Sequence, residues 1–143
     1  MSNRPPHRKT VRHYHTPGDF HELTFCCFHG MQLLTNERWR NHLARALDRA
    51  VEQAEFMLVA FVFMPGHVHL LVYPMRKDAT GDSISEFLQA VKLSASQAVK
   101  ADLAEGGSRL LERLTVHERP GKYVFRFWQE GPGYDRNLST ERA

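Results

Sequence analysis

Hydrophobic positions along the chain follow two different spacings, which predict strands and helices in turn. A spacing of two, or a short continuous apolar run, indicates a strand, whereas apolar residues three and four apart form the buried stripe of a helix. Strands are predicted at residues 21–29, 57–64, 67–73 and 122–128, and helices at residues 35–54 and from 83 to about 105. The resulting order is strand, helix, strand, strand, helix, strand.

Residues at the ends of these segments support the prediction. Thr35 can cap the first helix, and Ser83 with Glu86 has the spacing of a capping box at the start of the second. Residues 57–64 are apolar throughout, which is typical of a central strand covered on both faces. A Pro-Gly pair at residues 65–66 predicts a hairpin turn into the next strand.

This order of elements favours an α+β fold of the ferredoxin-like (RRM-like) type, a split β-α-β arrangement. In such a fold an antiparallel sheet carries both main helices on one face and leaves the other face free for a ligand. The length of 143 residues fits one domain. We assign residues 19–143 to that domain and residues 1–18 to a basic, flexible arm.

The charge balance adds a weak preference for nucleic acid. The chain has 19 Lys and Arg against 16 Asp and Glu, with nine histidines, which permits such a partner without requiring it. The arm concentrates this charge, and we predict that Arg8, Lys9 and Arg12 contact phosphates; a solvated tail is the equal alternative. Because no apolar run approaches the roughly 20 residues of a membrane span, we expect a cytoplasmic protein with no membrane partner.

Two histidines at the start of the third predicted strand carry the chemistry. His67 and His69 are two residues apart, so on a strand both side chains share one face, while Val68 and Leu70 share the other. Two imidazoles can bind one divalent metal ion, and a third protein ligand must come from elsewhere. Such an open site suits Mg²⁺ or Mn²⁺ acting on a phosphate better than a structural zinc.

The segment around this pair, FVFMPGHVHLLVYP, resembles the signature of the HUH-superfamily single-tyrosine transposases. That superfamily includes the transposases of small insertion sequences and the REP-associated tyrosine transposases. The matching positions are Met64, Pro65, His67, Val68, His69, Leu70, Leu71 and Val72. Looser similarities occur at residues 23–25, at Lys92, and at residues 127–129 and 133–137.

The resemblance implies the ferredoxin-like fold and a function in DNA transposition. It implies that His67 and His69 hold a divalent cation, Mg²⁺ or Mn²⁺, which polarises a phosphate of single-stranded or hairpin DNA. A tyrosine would attack that phosphate, forming a 5′-phosphotyrosine link and releasing a 3′-hydroxyl, so that the strand can later be rejoined.

One departure from the family pattern concerns the nucleophile. In the family the tyrosine lies on a C-terminal helix, whereas the last residues here, 138–143, reach only a helix N-cap, so we expect that helix to be truncated. Tyr134 is the candidate substitute nucleophile. Lys92, Arg126 and Arg136 are the further candidates for contacts to DNA phosphates.

Whether the chain is an enzyme therefore stays open from the sequence. A non-catalytic nucleic-acid-binding module, or an inactive transposase remnant, is the main alternative, and a small metal-dependent hydrolase of other phosphoesters is a weaker one. A homodimer is allowed but not decided by any pattern in the sequence.

Overall fold

The computed structural model describes residues 13–131 and 133–139. The helices are α1 (Glu37–Ala54), α2 (Gly81–Glu105) and α3 (Leu110–Arg113), with short 3-10 turns at Phe28–Gly30 and Leu33–Thr35. The strands are β1 (Phe20–Cys26), β2 (Phe56–Phe63), β3 (His67–Pro74), β4 (Thr115–Arg119), β5 (Lys122–Phe125) and β6 (Tyr134–Leu138).

The main sheet has four antiparallel strands in the order β2-β3-β1-β6. The predicted hairpin is confirmed: the amide of Met64 donates to the carbonyl of His67 at 2.8 Å, across the Pro-Gly turn. The predicted α+β class with an antiparallel sheet is also confirmed, and the strand order is that of the ferredoxin-like arrangement.

The predicted fourth strand at residues 122–128 is wrong as a member of this sheet. Residues Lys122–Phe125 pair with β4 in a separate two-stranded sheet, and the fourth strand of the main sheet is β6. The sequence of β6, YDRNL, has no apolar alternation, because the residue that it buries against the protein interior, Asp135, is polar. The hydrophobicity pattern could not indicate such a strand.

The prediction that residues 57–64 form a central strand is also wrong. Strand β2 lies at the edge of the sheet, and its apolar side chains are only partly covered. Val59, Phe61 and Val62 are 46%, 54% and 51% exposed. The continuous apolar run of β2 therefore belongs to an edge strand. Its hydrophobic side chains are exposed to solvent, although such side chains are usually buried.

The core lies between the helices and one face of the sheet. On β1 and β3 every second residue is buried, and these residues face α1 and α2. The fully buried strand residues include Leu23, Phe25, Val68, Leu70 and Val72. The helices contribute the predicted apolar stripes, and Trp39, Phe127 and Trp128 are also buried in this core.

The helix starts differ slightly from the prediction. Asn36 caps α1, its side-chain oxygen accepting from the amide of Trp39 at 3.1 Å. Thr80 is the N-cap of α2, and Ser83 completes the capping box by accepting from the amide of Thr80 at 3.0 Å. Each cap therefore lies one to three residues from the residue that we predicted.

The two long helices are joined by an acidic side chain of α2. Asp102 accepts a hydrogen bond of 2.6 Å from Nε2 of His42 and forms an ion pair of 2.9 Å with Nε of Arg38. Both partners lie on α1. The hydrogen bond from His42 is the main reason why the pKa of Asp102 lies below its usual value. His42 is thus part of the contact between the helices.

Within the described ranges, no helix combines the length and the apolar character that crossing a bilayer would demand.

Candidate functional site on the open face of the sheet

The two histidines project together from the face of the sheet that the helices leave uncovered. Side chains of β3 alternate, so that Val68 and Leu70 are buried under the helices while His67 and His69 are half-buried on the opposite side. The ring centroids of His67 and His69 are 4.9 Å apart, and the ring planes are nearly perpendicular, at 89°. The shared face that the spacing predicted is therefore present.

A threonine of the neighbouring strand contacts one of the imidazoles. Thr24 lies opposite His69 in the pairing of β1 with β3, and Oγ1 of Thr24 is 3.0 Å from Nδ1 of His69. When Nδ1–H donates to this hydroxyl, Nε2 of His69 keeps its lone pair for a ligand. Thr24 could not be identified from the sequence, because only the strand register reveals this pairing.

The same face continues across β1 to β6. Thr24 is opposite Tyr134, and Glu22 is opposite Arg136. His69, Thr24 and Tyr134 therefore form one row across three neighbouring strands. Since neighbouring strands are about 4.8 Å apart, the tyrosine lies two strand spacings from the imidazole.

A glycine brings β6 close to β1 at this row. Gly133 has a positive φ of 74°, and a Cβ atom there would collide with the carbonyl oxygen of Thr24. Only glycine fits both this conformation and this contact. The approach of the strand that carries Tyr134 thus depends on the absence of a side chain at residue 133.

The four tyrosines occupy different surroundings. Tyr134 is 59% exposed on the face of the histidines, whereas Tyr73, further along β3, packs against Phe20 with ring centroids 4.9 Å apart. Tyr123 lies on the separate β4–β5 hairpin and Tyr14 in the segment before β1. Tyr134 is the exposed tyrosine that shares a row with the histidines.

A family model described as "Transposase IS200 like" matches residues 20–117, which include β1, β2, β3 and both long helices. The chain belongs to the IS200-like transposase family. The match covers β3, the strand that carries His67 and His69, and ends before β6.

Solved transposase structures share the fold of this family member. A REP-associated tyrosine transposase, whose structure is bound to a REP hairpin, aligns with a TM-score of 0.61 and 17% identity over 92% of this chain. A protein named as a transposase, from Deinococcus radiodurans R1, aligns with a TM-score of 0.55 and 20% identity over 92% of this chain and 85% of its own. No curated protein sequence matches significantly.

The chain spans 62% of the length of that REP-associated transposase structure.

Among the predicted phosphate contacts, Arg136 lies on the same face of the sheet as the histidines. It is exposed and faces the same side as Glu22 and Thr24. Lys92 of α2 reaches toward this region from the helical layer, and its Nζ donates to the carbonyl of Gly131 at 3.0 Å. Burial lowers the pKa of Lys92.

Lys92 lines a small cavity of about 190 Å³ together with Thr24, Cys26 and Tyr134. It also borders a larger cavity of about 350 Å³ against α2 and Trp128. Lys92 therefore lies between the helical layer and the row that contains Tyr134.

The remaining predicted contacts are not brought to the histidines. Arg126 pairs with Glu130 at 2.8 Å, and only 19% of its side chain is exposed. Arg8, Lys9 and Arg12 lie outside the described residues.

The donors on the open face match a loosely held cation rather than a closed metal centre. Within residues 13–131 and 133–139, no group of three or more His, Cys, Asp or Glu side chains is arranged around a common point. The pair His67 and His69 offers two nitrogen donors, as the sequence predicted, and leaves the other positions of a cation to water or substrate oxygens. The orientation of His69 by Thr24 is consistent with such a role.

Proposed function

We propose that this protein binds single-stranded hairpin DNA on the open face of the sheet and cleaves and rejoins it through a tyrosine, as a step of DNA transposition. The observation that carries the proposal is the pair of imidazoles, His67 and His69, side by side on the uncovered face with Thr24 fixing one of them. Membership in a transposase family supports the reaction class. The hairpin bound to the similar REP-associated transposase supports the class of substrate.

His67 and His69 would hold a divalent cation, Mg²⁺ or Mn²⁺. When bound there, such an ion offsets the negative charge that develops on phosphate oxygens during displacement. Thr24 keeps Nδ1 of His69 engaged, so that Nε2 is the nitrogen turned to the ligand. Two protein donors leave room for a phosphate oxygen beside the ring nitrogens.

The charged residues around the face would position the DNA backbone. Arg136 is exposed on the same face, and its guanidinium can bind a phosphate through two hydrogen bonds. Lys92 supplies positive charge from below the row of Thr24 and Tyr134. Arg136 would therefore bind the backbone on the open face itself, whereas Lys92 would act from the cavity that it shares with Tyr134.

We propose Tyr134 as the nucleophile. Its oxygen would bond to phosphorus, the bond from phosphorus to the 3′ oxygen would break, and the proton of the phenol would pass through solvent to the leaving 3′ oxygen. The products are a 5′-phosphotyrosine link and a free 3′-hydroxyl, and attack by a 3′-hydroxyl reverses the step. The exposure of Tyr134 and its place in the row with His69 support this role.

Incubation of the protein with hairpin-containing single-stranded DNA and Mn²⁺ tests the proposal. We expect a covalent protein–DNA adduct that survives denaturing electrophoresis and disappears in His67→Ala, His69→Ala and Tyr134→Phe. Tyr123→Phe is the matched control, because Tyr123 is 69% exposed on the separate hairpin and its variant should retain the adduct.

Other outcomes separate the alternatives. An adduct that persists in Tyr134→Phe would show that Tyr134 is not the nucleophile, while the proposed cleavage reaction would stand. DNA binding that ignores both Mn²⁺ and the histidine variants, with no adduct, would replace the proposal by a non-catalytic nucleic-acid-binding module. Hydrolysis of a generic phosphodiester with no DNA present would favour a small hydrolase instead.

We also propose that two copies associate along β2. This edge strand has eight residues, FMLVAFVF, without a charge, and its outer side pairs with no other strand among the described residues. Edge strands of soluble proteins usually carry charges or proline that prevent such pairing. An antiparallel strand can pair with its own copy about a two-fold axis, so a second copy would satisfy the free backbone groups.

A further inference from the structure

A cluster of three histidines and one aspartate lies on the helix side of the sheet, away from the proposed metal site. Asp135 of β6 accepts hydrogen bonds from Nδ1 of His13 at 2.7 Å and from Nδ1 of His21 at 2.9 Å. Nε2 of His21 is 2.8 Å from Nδ1 of His15. The side chains of His13, His21 and Asp135 are 2%, 0% and 5% exposed.

The cluster joins three parts of the chain that are distant in sequence. His13 and His15 belong to the segment that we assigned to the basic arm, His21 belongs to β1, and Asp135 belongs to the last strand of the sheet. A further hydrogen bond joins the same segment to β6, since Nδ2 of Asn137 donates to the carbonyl of Tyr14 at 2.8 Å. The carboxyl end of the predicted arm is therefore fixed to the sheet.

The first residue of helix α2 leaves space for the backbone of the segment that contains His13. Gly81 begins the helix, and a Cβ atom at this residue would collide with the backbone carbonyl of His13. The backbone of Gly81 does not need glycine for its own conformation, because its φ is not positive. Glycine at residue 81 is thus explained by the close approach of the arm.

The hydrogen bonds limit how many protons the cluster can hold. His21 uses Nδ1–H for Asp135, so its Nε2 and the facing Nδ1 of His15 can share only one proton between them. If both rings were charged, two N–H groups would face each other. His13 adds a second limit, because its Nε2 is buried with no hydrogen-bond partner among the described residues, so a proton there would be an unpaired buried donor.

We propose that this cluster is a pH-sensitive latch that holds the basic arm and β6 in place and releases the arm when the cluster gains protons. Asp135 is the shared acceptor, and its two strand neighbours, Tyr134 and Arg136, point to the opposite face of the sheet. The latch therefore ties the arm to the strand that carries these residues. Its role is to hold the arm and β6 in position, and it makes no contact with DNA.

Charges around the cluster agree with release in acid. Burial, followed by the charge of His21, lowers the pKa of His15, although Asp19 and Asp135 oppose this. Burial raises the pKa of Asp135, but the hydrogen bonds from His21 and His13 outweigh it and the pKa is lowered.

Lys92 and Arg126 line the cavity beside His13 and are the other charged groups near the cluster.

Amide hydrogen exchange at about pH 7.5 and about pH 5, corrected for the intrinsic rate and with neither DNA nor metal added, tests the latch. We expect residues 13–19 to lose about tenfold or more of their protection at the lower pH, the factor that corresponds to one pKa unit. His117→Gln removes an exposed histidine of β4 and should keep the same pH profile. Protection that does not change with pH would overturn the proposal.

Two variants separate the latch from a general loss of folding. In Asp135→Asn we expect weak protection of residues 13–19 at both pH values. In Gly81→Ala, in which the added methyl group collides with the carbonyl of His13, we expect the arm to lose protection while α2 keeps its own. Retention of the arm in both variants would also reject the proposal. Because no DNA is present, these outcomes do not depend on whether the protein cleaves DNA.

Discussion

Oγ1 of Thr24 lies 3.0 Å from Nδ1 of His69, across the two central strands of the sheet. This contact sets which ring nitrogen of His69 is available on the open face. Partner groups of metal-binding histidines commonly fix the tautomer and the angle of the ring. Under the proposed function, Thr24 would do this for His69.

Replacement of this threonine should weaken binding of the cation. In Thr24→Val, a substitution of similar shape, we expect affinity for Mn²⁺ to fall about tenfold because Nδ1 of His69 loses its partner. Isothermal titration with Mn²⁺ measures this change. Thr115→Val, in which the lost hydroxyl bonds to the carbonyl of Leu111, is the control and should leave Mn²⁺ affinity unchanged. Equal affinities in both variants would contradict the role of Thr24.

Arg136 should contribute one phosphate contact to DNA binding. In Arg136→Gln we expect the slope of log affinity against log salt concentration to decrease in magnitude by about 1, for every DNA sequence alike. Fluorescence anisotropy with a labelled hairpin over a salt series measures the slope. Arg45→Gln, at an exposed position on α1, should keep the native slope.

A charge on the edge strand should separate the two copies. In Phe61→Lys we expect a dimer of the native protein to become a monomer, because a lysine in the middle of β2 cannot be covered by a second strand. Light scattering after size exclusion measures the mass. Leu93→Lys is the matched control, since Leu93 on α2 has the same exposed fraction of 54% as Phe61. A native protein that is monomeric at all concentrations would contradict association along β2.

The contact between α1 and α2 should make stability depend on pH. Because the pKa of Asp102 is lowered in the folded state, its stabilising contribution is complete above the ordinary aspartate pKa and is lost as the pH falls through the folded value. In Asp102→Asn we expect the free energy of unfolding at about pH 7 to fall by about 1 kcal/mol, with a smaller loss at about pH 3. Urea unfolding measures both.

Asp78→Asn provides the comparison for that measurement. Asp78 pairs with Arg76 at the surface, and its side chain is 73% exposed. Its variant should change stability little at either pH. If Asp78→Asn lowered the free energy of unfolding as much as Asp102→Asn does, the contact between the helices would contribute no more than a surface ion pair.

Much of the fold follows from local pattern, and the failures have physical causes. The alternation at residues 67–73 correctly indicated that His67 and His69 share a face, because one side of β3 is buried and the period of a strand is two. The edge position of β2 was missed because an apolar run predicts burial, and hydrophobicity alone cannot show which strand ends a sheet.

The parts of the site that depend on strand register could not be predicted. Thr24 and Tyr134 are 110 residues apart in sequence (134 minus 24) and are opposite each other only because β6 pairs with β1. The cluster around Asp135 has the same origin, since its histidines come from the first part of the chain. Short polar strands such as β6 leave no periodic signal, and their partners are set by tertiary structure.

The close contact at Gly133 determines how near the last strand lies to β1 on the open face. Any side chain at residue 133 would push the last strand away from the carbonyl of Thr24. The gap between the phenol of Tyr134 and the imidazole of His69 would then widen without a change in either residue. A hydrogen atom in place of a methyl group therefore sets the distance between these two side chains.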